Sequence, residues 1–235
     1  MSGRETPRAS VKICGIREPE TLRGMDGLDV DYVGFVFAAS RRRVTPAQAG
    51  ELIAAARRTA MAGGRPPRAV GVFVDPTMEE IAGTLALAPL DAVQLHGAET
   101  PAFCRAVRER FGVEVWRSLP VEEPAAGAEA GAAGEAEAAA ERIRAYAGAA
   151  DAVLLDTAGG GTGRAFRWER IPACLEAARL SGLRLFVAGG LTPDNVAGLL
   201  RDYGPDGVDV SSGVETDGRK DIAKIAAFVE RVKTR

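Results

Sequence analysis

A single α/β domain, a closed (β/α)8 barrel, is the fold class this sequence predicts. Three observations carry that reading. Short apolar runs alternate with helix-length segments eight times in series, and such alternation requires parallel strands, because each crossover returns along a helix. The chain has 235 residues, close to the ~250 typical of one barrel. The rival, an open dinucleotide-binding sheet, carries a glycine fingerprint directly after its first strand, and Cys14-Gly15-Ile16-Arg17 is not one.

The first strand is Val11-Lys12-Ile13-Cys14. Successive side chains of a strand point to opposite faces, so Val11 and Ile13 face the helices, while Lys12 and Cys14 point into the barrel. Glu18 to Gly27 reads as a short helix and Tyr32 to Phe37 as a buried strand. Pro46 to Ala60 follows as a helix, with Thr45 as N-cap and proline in the first turn. Gly63 to Pro67 is a loop. The third unit is Ala69 to Val74 with the helix Met78 to Leu87. The fourth is Ala92 to Leu95 with Pro101 to Phe111.

Val113 to Leu119 is the fifth strand. An alanine-, glycine- and glutamate-biased stretch follows: a connection over Glu122 to Gly134, then a solvated helix over Glu135 to Tyr146. Ala152 to Asp156 is the sixth strand, with a helix from Trp168 to Leu180. Arg184 to Ala188 is the seventh, followed by a helix over Pro193 to Tyr203 capped by Thr192. Val208 to Ser211 is the eighth, and Asp221 to Lys233 closes the chain. Side-chain parity supports closure. Val93 and Leu95, Val153 and Leu155, and Val208 and Val210 form apolar outer faces. Gln94 and His96, Leu154 and Asp156, and Asp209 and Ser211 alternate with them on the inner face.

Composition bounds the function. The hydrophobic fraction is 46%, the charged fraction 26% and the net charge -2. These are the values of an ordinary globule with no basic footprint for nucleic acid. No apolar run approaches the ~18 residues of a membrane span. Residues 1–10 are polar and lack a signal-peptide core, so they read as a flexible leader, with residues 11–235 as the catalytic barrel. Cys14, Cys104 and Cys174 are odd in number and far apart. They fit a reduced, cytoplasmic protein without a zinc site, and the latter two sit as packing in helices.

Two groups at strand carboxyl ends, where barrels do their chemistry, can exchange protons: Cys14 and Asp156. A thiol of ordinary pKa ~8.5 must be lowered to act as a base near neutrality, and Lys12, one layer down, is a source of positive field. An acidic carboxyl needs its pKa raised by burial. Taken alone, such a cysteine is more often a small core residue and such an aspartate a helix cap. The phosphate motifs alter that balance. Ala188-Gly189-Gly190 ends strand seven before a helix, and Ser211-Ser212-Gly213 ends strand eight, where barrels bind phosphate. Gly159 to Gly163 lacks the ending of a nucleotide loop. It reads either as a segment that folds over substrate or as a plain connection. One of Arg41, Arg42 and Arg43 at the mouth can grip a carboxylate. His96, the single histidine, is more often structural than catalytic.

Together, Lys12-Ile13-Cys14-Gly15, Gly34-Phe35-Val36-Phe37, Ser40 to Pro46, Gln94-Leu95-His96-Gly97, Leu154-Leu155-Asp156-Thr157, Ala188 to Val196 and Asp209 to Glu215 resemble the phosphoribosylanthranilate isomerase family of tryptophan biosynthesis over nearly the whole chain. The resemblance implies a single TIM barrel without cofactor that rearranges N-(5-phosphoribosyl)anthranilate to 1-(2-carboxyphenylamino)-1-deoxyribulose 5-phosphate. It places the general base on Cys14 and the general acid on Asp156. It places the carboxylate-binding arginine on Arg42 and the phosphate loops on Gly189, Gly190, Ser211, Ser212 and Gly213. Lys12, Gln94, His96 and Asp209 complete the expected site. Arg17, Arg43 and a longer alanine-rich insertion depart from the family pattern. The expected partner is the small phosphorylated sugar–anthranilate, not nucleic acid or membrane, with a monomer and a homodimer both open. The histidine-pathway isomerase carries an aspartate where this chain has Cys14. A non-catalytic phosphate-binding barrel is the alternative from another class.

Overall fold

The first strand, β1 (Ser10–Cys14), pairs in parallel with β2 (Tyr32–Val36) on one side and with β8 (Gly207–Val210) on the other. Between them run β3 (Arg68–Phe73), β4 (Ala92–Leu95), β5 (Glu114–Val121), β6 (Ala152–Thr157) and β7 (Arg184–Val187), closing an eight-stranded parallel barrel. The outer ring is α1 (Pro19–Gly24), α2 (Pro46–Ala56), α3 (Met78–Leu87), α4 (Pro101–Phe111), α5 (Ala132–Arg144), α6 (Ile171–Leu180), α7 (Val196–Tyr203) and α8 (Ile222–Lys233). The structure, a computed structural model, describes residues 8–121, 132–157 and 168–234. Most of the alanine-rich connection and the whole Gly159 to Gly163 segment lie outside them. So do the first seven positions of the leader.

Parity sorts the barrel as expected. Val11, Ile13, Val93, Leu95, Val153, Leu155, Val208 and Val210 pack outward in the core shared with the helices, while a separate inner cluster contains Tyr32, Trp116, Leu154 and Phe186. The inner cluster plugs the amino end. Trp116 and Phe186 lie 4.5 Å apart, with Tyr32 edge-on to Trp116 at 4.8 Å. Below the rings, Glu114 binds Arg68 and Arg184, each at 2.7 Å. This filled end leaves the polar inner residues only the carboxyl end to open onto. There Arg117 donates to the Leu95 and Gly97 carbonyls at 2.8 and 2.7 Å and pairs with Glu99 at 3.2 Å, which pins the loop bearing His96.

Several boundaries differ from the sequence reading, each for a local reason. Strand β1 starts at Ser10, whose N–H bonds the Asp206 carbonyl. Helix α1 spans only Pro19–Gly24. Helix α2 stops at Ala56, before a turn in which the Ala60 N–H is taken by Asp26. Strand β5 runs on to Val121 through its pairing with β6. Helix α5 starts at Ala132, three residues before Glu135, and ends at Arg144. Trp168–Arg170 form a 3-10 turn, and α6 begins at Ile171 with proline in its first turn. The largest correction is α7, which begins at Val196 with no cap from Thr192. Instead Asn195 Oδ1 accepts the Thr192 N–H at 2.9 Å, and its Nδ2 donates to the Gly190 carbonyl at 2.9 Å. Such side-chain turns compete with helix initiation, and this one clamps the glycine loop after β7.

Candidate active site

A cavity of about 500 Å3 opens at the carboxyl end of the barrel, lined by Cys14, Arg42, His96, Asp156 and Asp209. Its far wall is Gly189, Gly190, Ser211, Ser212 and Gly213. Lys12 and Gln94 lie one layer beneath, buried in the barrel.

Cys14 ends β1 opposite Gly34 of β2. A Cβ at Gly34 would sit 2.8 Å from the thiol sulfur, so glycine there makes room for the thiol. Burial raises the thiol pKa above its ordinary value, against the pull of Lys12. Lys12 does pull the thiol pKa down, as expected, but burial outweighs it. The same ammonium pairs with Asp209, at 2.9 Å from Oδ2, with Lys12 fully buried. Parallel register aligns the two residues, Lys12 with Asp209. Burial opposes the charge on Lys12, but Asp209 and Cys14 outweigh it and raise its pKa.

Asp156 holds its proton more tightly than an ordinary carboxyl. Burial, then the neighbouring Asp209 charge, push its carboxyl up to about 6. Its Oδ1 accepts the Thr157 N–H at 2.8 Å, and His96 Nε2 lies 3.4 Å from Oδ2. Burial, followed by Lys12, lowers the His96 pKa, so the imidazole is neutral at pH 7. Gln94 Nε2 faces its Nδ1 at 3.4 Å. The buried oxygens Gln94 Oε1 and Asp209 Oδ1 have no hydrogen-bond partner among the described residues.

After β2 the chain turns at Ser40, whose Oγ accepts the Arg42 N–H at 3.1 Å, and returns to bridge Val36 at Arg43. This turn buries Arg42 in the cavity wall while Arg41 and Arg43 stay exposed. Arg17 donates to the Arg41 carbonyl at 3.0 Å.

The far wall of the cavity is two glycine-bearing loops. Gly189 and Gly190 both have positive φ, 80° and 65°, a backbone conformation that favours glycine. Ser212–Val214 form a 3-10 turn. The N–H groups of Gly190, Ser212 and Gly213 donate to no described residue. The helix start expected beside Gly190 is displaced to Val196, so loop backbone rather than a helix N-terminus lines this wall of the cavity. A Cβ on Gly213 would lie 1.8 Å from the Leu191 carbonyl oxygen, so the two loops touch there. Gly213→Ala is expected to part them, raising KM for a phosphorylated substrate at least about tenfold while lowering Tm. Steady-state kinetics and weakened inhibition by inorganic phosphate check this.

The sequence reading did not single out Gly34, Thr157 or Lys220, and it gave Glu215 no role. Gly34 was legible as the small inward position beside Cys14. Glu215 and Lys220 were legible as partners across an Asp217-Gly218 hairpin turn. Cys104 and Cys174 are buried in helices as expected, each thiol pushed up to about 11 by burial. Among the described residues no group of three metal-ligating side chains converges, and no helix is long and apolar enough to cross a membrane.

The model of the N-(5'-phosphoribosyl)anthranilate (PRA) isomerase family matches residues 11–231. The N-(5'-phosphoribosyl)anthranilate isomerase of Brevibacillus brevis is 49% identical over 227 residues, 95% of this chain and 93% of that protein. The dimeric phosphoribosylanthranilate isomerase of Thermotoga maritima, solved as generated monomers, superposes with a TM-score of 0.75 at 33% identity, over 97% of this chain and 100% of that one. A phosphoribosyl anthranilate isomerase solved with reduced 1-(o-carboxyphenylamino)-1-deoxyribulose 5-phosphate superposes with a TM-score of 0.70 at 30% identity, over the same shares. A match of this extent in sequence and in fold has one consequence: the chain belongs to the N-(5'-phosphoribosyl)anthranilate isomerase family.

Proposed function

We propose that the barrel catalyses the Amadori rearrangement of N-(5-phosphoribosyl)anthranilate in tryptophan biosynthesis, with Asp156 as general acid and Cys14 as general base. Asp156 gives its proton to the ribose ring oxygen as the C1–O bond breaks. The anthranilate nitrogen supplies the electron pair that makes C1=N, leaving a positive nitrogen beside C2. The C2 proton becomes acidic, and the Cys14 thiolate removes it. The C–H electrons form C1=C2 and return the nitrogen to neutrality. The enol then becomes a ketone, losing its O–H proton and gaining one at C1. No step calls for a metal or a redox cofactor.

The observation that carries this reading is the pairing of unlike proton affinities across one cavity. Asp156 holds its proton up to about 6, Cys14 faces the same space from β1, and unpaired N–H groups close one wall as a phosphate cradle. His96, neutral beside Asp156, keeps that carboxyl oriented. Lys12 and Asp209 set the charge beneath the thiol. The assay is the loss of substrate fluorescence on adding purified protein. A decay proportional to enzyme concentration supports the reading, and none at all overturns it.

Arg42 is the residue we assign to the anthranilate carboxylate. Arg42→Ala should raise KM about 10- to 100-fold, the worth of a charge-assisted fork, with a smaller change in kcat. If Arg43→Ala does so instead, the register of the arginine triplet is wrong by one.

A further inference from the structure

Glu215 lies outside the reaction just described, yet it meets three cations. It opens a hairpin of β9 (Glu215–Thr216) and β10 (Arg219–Lys220). The turn residues Asp217 and Gly218 both have positive φ, 50° and 76°, the geometry that Asp-Gly favours in two-residue hairpins. That turn sets Glu215 opposite Lys220. Oε1 accepts from Arg42 Nε at 2.7 Å and from Lys220 Nζ at 3.0 Å. Oε2 accepts from Arg42 Nη2 at 2.9 Å and from Arg41 Nη2 at 2.8 Å. Burial raises the carboxyl pKa, but the Arg42 hydrogen bonds and Lys220 outweigh it and hold it at about 2. Glu215 is thus an anion at every working pH.

A guanidinium presents two flat edges to carboxylates, the Nε/Nη2 side and the Nη1/Nη2 end. Glu215 takes the side edge. Nη1 has no partner among the described residues, and Arg42 lines the cavity. Three cations against one anion leave the cluster net positive, so a second carboxylate is still attracted. The hairpin is itself braced. Arg17 donates to the Gly218 carbonyl at 3.3 Å, Lys220 to the Ser211 carbonyl at 2.9 Å and Lys224 to the Glu215 carbonyl at 2.9 Å. The Arg42 stem rests on Gly15, where a Cβ would lie 2.5 Å from Cδ.

We propose that Glu215 is a positioning residue: by occupying the side edge of Arg42 it turns the end edge into the cavity, where it receives the aromatic carboxylate of the substrate. The proposal rests on the reading that Arg42 binds that carboxylate. Without Glu215 the long side chain samples many rotamers, and each binding event must order it again.

The test measures inhibition by two ligands: reduced product bearing the ring carboxylate, and the same molecule lacking it. Glu215→Gln should weaken the first about tenfold and the second less than about twofold, with KM rising more than kcat falls. A merely structural role would weaken both alike. Arg42→Ala should abolish the preference by itself, and adding Glu215→Gln to it should change nothing further. If Arg42→Ala abolishes the preference and Glu215→Gln retains it, the role of Glu215 is overturned alone. If Arg42→Ala retains it, the underlying reading of Arg42 fails and this proposal with it. Should Glu215→Gln not fold, Glu215→Asp keeps the charge but withdraws it by one methylene. A preference between those of wild type and Arg42→Ala supports the proposal, and an undiminished one sinks it.

Discussion

Cys14→Ser should lose roughly 10²- to 10⁴-fold in kcat, the usual worth of a positioned general base, with KM within a few-fold of wild type. The exchange keeps a hydroxyl at the end of β1, beside Gly34, so packing and substrate binding persist. A serine hydroxyl, however, does not ionise in any range where this barrel is folded. The thiol is itself a reluctant base, held above its ordinary pKa by burial. Lys12 is the group that offsets burial most. Near-wild-type kcat in Cys14→Ser, with an unchanged melting curve, would remove the sulfur from the reaction.

The second large effect is that of Asp156→Asn, which should cost a comparable factor in kcat and change the shape of the pH profile. In the wild type the carboxyl titrates at about 6 and the thiol well above it. Below 6 both hold their protons and the base is missing. Between the two values the pair shares one proton, which sits mainly on sulfur. The active arrangement, thiolate with carboxylic acid, is its minor tautomer. Above the thiol value the acid is gone. So kcat/KM should rise through about 6, level off and fall in the alkaline range. In Asp156→Asn the limb near 6 should vanish, leaving residual activity that climbs with thiol ionisation. A limb that persists near 6 would hand the acid role to another group, with His96 the nearest at 3.4 Å.

The same substitution carries a stability signature of fixed sign. A folded-state pKa above the unfolded one means the folded protein binds that proton more tightly. The contribution is fully present below 3.8 and is lost as pH rises through about 6. Asparagine has no such loss. Asp156→Asn should therefore be more stable than wild type at pH 8, by about 3 kcal/mol from a rise of this size, and equal to it at pH 3.5. Chemical denaturation at the two pH values separates this from a mere loss of contacts. A variant that is slower and more stable is the mark of a carboxyl kept protonated for function.

The fold was legible because a barrel is written in periods. Alternation of two in the strands and proline or threonine at helix starts are local signals, and α3, β4 and α4 begin and end where those signals place them. Misses fell where a distant partner intervened. Thr192 looks like a cap, but Asn195 folds back onto Thr192 and Gly190 and delays α7. Strand β5 continues past Leu119 because β6 lies beside it. For the site, residue types and strand ends pointed to Cys14, Asp156 and the two glycine-bearing loops. Parity alone placed the thiol and the carboxyl on the inner face.

Identity, order and side-chain direction are properties of the chain one residue at a time, and the sequence by itself determined them: eight units, a thiol and a carboxyl facing inward, a family resemblance from end to end. Proton affinities and cation partners are not, because they depend on which charges meet once water is excluded. Only the tertiary structure decided that Lys12 is committed to Asp209, that Asp156 keeps its proton to about 6, and that Glu215 holds one edge of Arg42. Each depends on residues far apart in sequence, brought together by a closed barrel, Lys12 within 2.9 Å of Asp209 and Arg42 within 2.7 Å of Glu215, where the low dielectric makes every such neighbour count.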